Sequence, residues 1–589
     1  MVIQHKENDG LFGPGYNYIL VLLLRTFGFP VSVNQPHDAL RFGTTGYAIL
    51  YVAAYIIVGI PIVYLELIIG QFTSRDCIDV WKIRKCLSHI GYFLVFWQIL
   101  TYTYNHMAAT FVTHYFLISF ENPGPYYTCD WWSKSNCDIL TRNYTLNKYC
   151  LRLRHMNLRM CHDLYTTMPE YQYFRSNILG PWNYLGISWR LSLASIFTCV
   201  FLFLSCFKRM QSLKWFLYPI IIYPIFGYAI LMIGTLRQKG IMTKFKESID
   251  FSFHVFLLEY KPVRVITQVI FSIGAGTGVF INLSSNAQFR LPCFTNAVVI
   301  VLVTATFNIL TVLTFSMMTC PYAKEYGVPP RTILRLPISF IFEMVPTMLY
   351  EYDNKSFYNV VLFSCQAALG LSSSLVLTFS LTQFVFNRYP AANKYPSLIC
   401  LAWVLVTFLS TMPLLGKFGY SVVMHAYAYI HGLSIFFVLL EYFVFVYWYG
   451  FDRLQQDVHF MLGTPPKTYI KICWALSGFV LTFAFFRDIY RSIRKGTIND
   501  KIGTGSLGVL LGMLLLVTIT KLIIAAVRGR FNESVKLNSN WGPKSELLQR
   551  SRGMFTAQAM TKEYIYRKYH LQAGIAARQK RANVRIRTI

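Results

Sequence analysis

Charge is scarce in this chain, and negative charge most of all. Of 589 residues only 14% are charged, and 26 Asp and Glu stand against 55 Lys and Arg. With 54% hydrophobic residues beside so little charge, the composition is that of a membrane protein rather than a solvated one. A signal-peptide pattern is also missing. Met1 to Leu11 carries His5, Lys6, Glu7 and Asp9, so the first apolar run is expected to be a retained anchor. No enzymatic constellation stands out. His106 and His114 lie eight apart near one helix face with no third ligand placed, and His425 and His431 are isolated. No enzyme and no cofactor is therefore expected. No ring of charges or filter motif is visible, which removes support for a ligand-gated channel.

What the chain has instead is a series of apolar runs of about 20 residues, each long enough to cross roughly 30 Å of hydrocarbon. Twelve are read, at about 16–36, 44–70, 88–120, 186–206, 213–236, 263–286, 293–319, 356–386, 396–415, 421–450, 468–488 and 504–527. The net charge of +29 would suit a nucleic-acid ligand, but its distribution does not. Lys and Arg occupy short connections (Arg75 to Lys85, Lys208, Arg209, Arg388, Arg453) and the tail from Arg528 onward. Twelve spans with both termini inside place these in the cytoplasm, as the positive-inside rule requires. Arg487, Arg491, Arg494, Lys495 and Lys501 depart from the rule. The basic tail suits an anionic leaflet or a protein partner.

The largest polar stretch, 121–185, holds Cys129, Cys137, Cys150, Cys161 and the sequon Asn143-Tyr144-Thr145. Cysteines clustered in one outside loop suit an oxidising compartment. A Cys129–Cys137 disulfide is expected, Cys150–Cys161 is the candidate second pair, and Asn143 is the expected glycosylation site. A further sequon at Asn354 falls in another outside loop.

Two apolar runs are interrupted, at 24–30 by Gly28 and Pro30, and at 272–278 by Gly274, Gly276 and Gly278. Hydrocarbon offers an unpaired backbone amide no partner, so an interrupted helix survives only around a cavity or inside protein. One such span in each half of a polytopic chain is the sequence pointer to a transporter binding site.

The segment Gly59-Ile60-Pro61-Ile62-Val63-Tyr64-Leu65-Glu66-Leu67-Ile68-Ile69-Gly70-Gln71-Phe72 closely resembles the second-helix signature of the neurotransmitter:sodium symporters, solute carrier family six. The likeness continues through Tyr104-Asn105, the outer-loop cysteine pair, Glu170-Tyr171, Gln268 to Ser272, Gly370 to Ser373 and Trp448-Tyr449-Gly450. It covers roughly 16–527. The resemblance implies an all-α polytopic fold with twelve transmembrane helices and a 5+5 inverted repeat whose helices one and six are broken. The expected parts are a cytoplasmic N-terminus (1–15), a first repeat (16–236), a second repeat (237–450), two peripheral helices (451–527) and a basic cytoplasmic tail (528–589). It also implies a plasma-membrane carrier that moves a small zwitterionic or cationic solute with sodium, often with chloride.

Counted onto the family pattern, Gly28 falls where monoamine carriers keep an aspartate and amino-acid carriers a glycine. A ligand amine therefore has no counter-ion there, and an amino acid or related zwitterion is the expected solute. Its carboxylate would meet the amides at the half-helix start. The resemblance assigns Phe27, Gly28, Tyr104, Phe271, Gly274, Thr277 and Ser372 to the substrate; Arg25, a departure from the family pattern, joins them as a cation that would hold an anionic ligand. It assigns Thr26, Ser272, Thr304, Leu369, Ser372 and Ser373 to sodium, and Tyr64, Gln268, Ser272 and Asn308 to chloride. The ion sites depart from the pattern: Val31 and Thr304 replace two asparagines. Arg25, about nine residues into an apolar span, carries two readings. It is either a fixed charge near the ion sites, or a snorkelling or structural cation paired with Glu66.

The family's ionic gates are replaced too. Asn34 and Ala428 stand at the outer pair, and Asn387 and Asn286 stand inside. Losing both partners of a pair is mild, because no buried charge is stranded. Two functions follow: a symporter-like carrier with altered sodium and chloride coupling, or a transport-inactive relative serving as receptor, sensor or interaction platform.

Overall fold

The computed structural model describes residues 11–13, 15–122, 124–135, 137, 168–179, 188–238, 240–248, 261–325, 334, 340–495, 498–538 and 540–556. Cys150, Cys161, the Asn143 sequon and the end of the tail lie outside the described residues, as do the side chains of Val31, Ala428, His425 and His431. The described residues are helical with no strand, as hydrocarbon demands of any spanning segment short of a closed barrel.

Helices stand on all twelve apolar runs. In chain order they are α1 (Gly15–Thr26), α2 (Phe29–Phe42), α3 (Thr44–Thr73), α4 (Ile90–Ile118), α5 (Trp189–Cys206) and α6 (Met210–Leu236). There follow α7 (Lys261–Ile273), α8 (Val279–Ser284), α9 (Cys293–Glu325), α10 (Lys355–Arg388), α11 (Pro396–Thr411), α12 (Lys417–Glu441), α13 (Phe451–Leu462), α14 (Thr468–Lys495) and α15 (Ile498–Val527). Among the described residues eight helices are long and apolar enough to cross a membrane. The end of α12 and α13 together make a further candidate, but the chain turns by 91° between them.

Both interruptions are narrower than the sequence suggested. Arg25 and Thr26 still belong to α1, so only Phe27 and Gly28 separate it from α2. In the second, Ser272 and Ile273 remain in α7, and Gly274 to Gly278 carry the break. Gly274, Gly276 and Gly278 have φ of +75°, +69° and +71°, the left-handed region that side-chain-bearing residues avoid. α14 runs well past its apolar stretch. Its 28 residues reach about 42 Å at 1.5 Å per residue, so Arg487, Arg491 and Arg494 ride on a helical extension.

The pairings that hold the breaks come from long, small-residue contacts. A Cβ on Gly370 of α10 would sit 2.9 Å from Ala109 Cα of α4, and one on Gly70 of α3 would sit 2.3 Å from the Ile281 carbonyl of α8. Close backbone approach of this kind is how helices associate where the solvent is itself apolar. The Cys129–Cys137 disulfide is present.

Part of the tail packs against the connection 74–89. Asn538 N–H donates to the Ile83 carbonyl (2.9 Å), the Trp541 indole to Val80 (2.8 Å) and Lys544 N–H to Thr73 (3.1 Å). Trp541 lies against Tyr449 and Phe72. Arg552 pairs with the buried Asp457 of α13 at 2.5 Å. Burial raises the Asp457 pKa, while Tyr449 and Arg552 pull it back only in part.

Candidate functional site

Gly28 caps α2 in an extended conformation, and its carbonyl accepts from Ser32 N–H at 3.2 Å. The half-helix thus begins at the break, where its first amides have no partner of their own helix. Around it the structure assembles four clusters.

The first joins α1 to α10. Ser372 donates to the Leu24 carbonyl at 3.0 Å, and Ser373 to the Leu369 carbonyl at 3.4 Å. Of these residues, read as part of a sodium shell, Ser372 reaches the end of α1, while the Ser373 bond stays within α10. The second joins α1 to α9. The Thr304 and Thr26 hydroxyls are 2.7 Å apart, and Thr26 donates onward to the Leu23 carbonyl. Both hydroxyls are therefore engaged by protein.

The third is a knot of hydroxyls. Ser272 bonds to Tyr55 and, at 3.3 Å, to Tyr51; Tyr51 and Tyr55 are 2.8 Å apart. The Asn308 amide donates to Tyr55 (2.8 Å), Tyr51 (3.2 Å) and Ser272 (3.4 Å). Two of the four residues assigned to chloride, Ser272 and Asn308, meet here, and two do not. Tyr64 lies on α3 more than two turns beyond Tyr55, with its ring stacked on Trp474 at 5.5 Å. Gln268 turns its amide to Asp38 at 2.8 Å. Tyr51 and Tyr55 were missed. The spacing Tyr47, Tyr51, Tyr55, which puts three phenols on one helix face, was the signal that could have found them.

The fourth surrounds Arg25. Its guanidinium lies against Gly274, where a Cβ would come within 2.2 Å of Arg25 Cζ. Arg25 is 7% exposed, its Nε has no hydrogen-bond partner, and the charge acting on it is that of Glu66. Among the described residues Arg25 makes no direct ion pair. Glu66 is instead held by the break itself, accepting from Gly276 N–H at 2.6 Å. Glu441 of α12 faces Glu66, and neither of its oxygens receives an N–H or O–H donor among the described residues.

The remaining assigned residues are dispersed. Phe27 stacks on Phe307 at 4.6 Å, and Thr277 donates to the Gly274 carbonyl at 2.7 Å. Tyr104 and Phe271 are buried. His106 packs against Tyr102, with Ser195 at 3.5 Å, and His114 reaches Tyr173 at 3.3 Å.

Beside the start of α2 lies a layer of aromatic rings. Phe342 lies 6.3 Å from Phe29, 6.4 Å from Phe111 and 5.2 Å from Phe174. Arg175 beside this layer pairs with Glu343 at 3.2 Å. Burial would lower its pKa, and Glu343 reverses the sign and raises it. Asp38 takes Arg264 at 3.1 Å. At the other end, the Gln383 amide bridges Asn387 (3.1 Å) and Asn286 (3.4 Å), and Arg209 donates to Gln383 at 2.8 Å. Neutral hydrogen bonds from Gln383 thus link Asn387, which stands where the family pattern has an aspartate, to Asn286, which stands where it has a tyrosine.

A helical membrane protein with two helices interrupted at glycines, and polar groups converging on the interruptions, belongs to the class of secondary carriers. The chain matches the model described as the sodium:neurotransmitter symporter family over residues 17–531. It belongs to that family, whose members are transporters rather than enzymes. It is 24% identical over 487 residues to the sodium-dependent serotonin transporter of Drosophila melanogaster, covering 79% of this chain and 74% of that one. The sodium-dependent dopamine transporter of Bos taurus is 23% identical over 469 residues (77% and 65%). The sodium- and chloride-dependent glycine transporter 1 of Xenopus laevis is 22% identical over 585 residues (91% and 89%).

Proposed function

We propose that this chain is a multipass plasma-membrane carrier for an amino acid or related zwitterion, with altered sodium and chloride coupling. In this reading twelve spans form two inverted five-helix repeats (16–236 and 237–450), and both termini are cytoplasmic. The substrate lies at the two breaks, its carboxylate toward the amides that open α2 and its body toward Tyr104 and Phe271. The observation that carries the substrate class is Gly28 at the cap of α2: a zwitterion needs an anion site there, and a glycine leaves the amides accessible without adding a carboxylate.

Altered coupling is supported by the oxygens at the ion positions. Thr26 and Thr304 bond each other, and Ser372 bonds the Leu24 carbonyl, so sodium would share these oxygens with protein hydrogen bonds. Arg25 supplies a fixed charge beside the second break. Radiotracer amino-acid uptake into expressing cells, with and without sodium, tests the reading. Uptake that persists in part when sodium is replaced is the expected result. No uptake of any amino acid despite surface expression would turn the reading to a receptor or sensor. Arg25→Ala should increase sodium dependence; unchanged ion dependence and affinity would remove Arg25 from the coupling.

A further inference from the structure

The turn between α5 and α6 carries a large side chain where its backbone suits none. Arg209 has φ +55° and ψ −132°, and it is one of two residues other than glycine with positive φ among the described residues. The Gln211 N–H closes the turn on the Lys208 carbonyl at 3.2 Å. Such angles belong to the first central position of a type II′ turn, which glycine takes because a Cβ is strained there. An arginine held against that strain points to a role for its guanidinium.

The guanidinium lies over the Phe386 ring at 4.7 Å and spans two amides. Its Nη2–H donates to Gln383 Oε1 at 2.8 Å and its Nη1–H to Asn393 Oδ1 at 2.9 Å. A guanidinium has donors only, so Gln383 must turn its oxygen toward Arg209. Its NH2 then points the other way, to Asn387 Oδ1 (3.1 Å) and Asn286 Oδ1 (3.4 Å). Flipped, the amide would set donor against donor at Arg209 and acceptor against acceptor at the asparagines. Asn286 is held in the matching sense, because its own NH2 donates to the Asn282 carbonyl at 3.0 Å. Arg209 thus fixes the direction of the bridge from α10 to the end of α8. Among the described residues no carboxylate pairs with the guanidinium, and neutral amides release an arginine more readily than an ion pair does.

We infer that Arg209 is a positioning residue for a latch at the end of α8: it orients Gln383, and Gln383 holds Asn286 to α10. On the carrier reading above, on which this role rests, the site opens toward the side of the termini only when Asn286 and Gln383 part. Where the family pattern has an aspartate stands the neutral Asn387, so the cation acts here through an amide instead of pairing with a carboxylate.

The test is thiol accessibility of the purified full-length chain in lipid nanodiscs, where a charged reagent reaches both faces. The reporter is Ser285→Cys, at a position 9% exposed and one residue before Asn286. It should react slowly in the native background and about ten times faster with Arg209→Gly, the effect of roughly 1.4 kcal/mol. Glycine suits the turn, so that variant should fold. Gln383→Leu should give a similar rise, and the two together no more than one alone, because Arg209 acts through Gln383. A rate unchanged by Arg209→Gly overturns the proposal, and so do two rises that multiply in the double variant. The same variants without Ser285→Cys measure the other cysteines; a rise matched there would mean general loosening and would overturn it equally. If Arg209→Gly does not fold, Arg209→Met, which keeps the stem against Phe386 and loses the donors, takes its place in the cycle. The expected rates in a chain that takes up no amino acid would count against the carrier reading and leave the latch standing.

Discussion

At the scale of single residues, Gly274 and Arg25 are a matched pair. Gly274 has φ +75°, and the volume a side chain would need is filled by the Arg25 guanidinium. Gly274→Ala should therefore cost twice: about 1–2 kcal/mol for the left-handed backbone, and roughly 1–3 kcal/mol for overpacking. In an Arg25→Ala background the second part should vanish. Thermal unfolding of the four proteins in detergent checks this; equal costs in both backgrounds would mean the guanidinium yields freely. The hydroxyl knot gives a second comparison. Tyr55→Phe removes an acceptor of the buried Asn308 amide and should cost about 1–3 kcal/mol and change any chloride dependence of uptake. Tyr64→Phe keeps the ring on Trp474 and should do neither. Ser272 and the Ser372 pair were legible in the sequence because each lies inside a short motif of fixed spacing, and Gly28 because it could be counted from the glycines that follow it. Glu441 was not: it meets Glu66 across 375 positions of chain, and no local pattern marks it. Gln383 escaped for a related reason, since a neutral amide bridging two others leaves no charge signature.

At the scale of elements, the segment from Asn538 to Phe555 acts as a strap. It carries no apolar run, and its backbone and side chains bond to the connection 74–89 and to α13. Arg75 donates to the Asn540 carbonyl (2.9 Å) and the Gly542 carbonyl (3.3 Å), and Phe555 packs on Phe460 at 5.4 Å. Its ionic anchor is Arg552 on the 2%-exposed Asp457 side chain. Removing the cation strands a buried carboxylate, a loss of about 3–5 kcal/mol for a fully buried pair and less here because Arg552 is partly exposed. Arg552→Ala should thus free the strap, and limited proteolysis should cut between 538 and 556 faster than in the native chain. Arg552→Ala with Asp457→Asn should restore protection in part, because the stranded charge is gone. Equal cutting in all three would mean that Trp541 and the backbone bonds hold the strap alone. The sequence showed this region only as basic, since its docking depends on carbonyls of a distant connection.

At the scale of the whole molecule, the conformation is closed on the side where α2 ends. Asn34, Gln35, His37 and Asp38 of α2 are 3%, 0%, 4% and 3% exposed, although an outer half-helix lining an open vestibule would be wet. The closure is made by rings, not by the ionic gate the family pattern provides: Phe342 sits against Phe29, Phe111 and Phe174. If aromatic packing is the gate, weakening it should shift the population toward an open state without leaving a buried charge behind. Phe342→Ala removes a fully buried ring at roughly 3–5 kcal/mol, and part of that loss disappears in any conformation where the layer is already parted. Asn34 is a suitable reporter, because its Nδ2 has no hydrogen-bond partner and cysteine can replace it without orphaning another group. The nine free cysteines among the described residues are all buried, and the chain without Asn34→Cys, given the same reagent, measures the background from Cys150 and Cys161. Asn34→Cys should react slowly with a membrane-impermeant thiol reagent applied outside, and at least ten times faster when combined with Phe342→Ala, since about 1.4 kcal/mol of shifted equilibrium already gives tenfold. Equal rates would mean that the rings pack the closed state but do not set its population, and would move the gate to the Arg175–Glu343 and Arg264–Asp38 pairs.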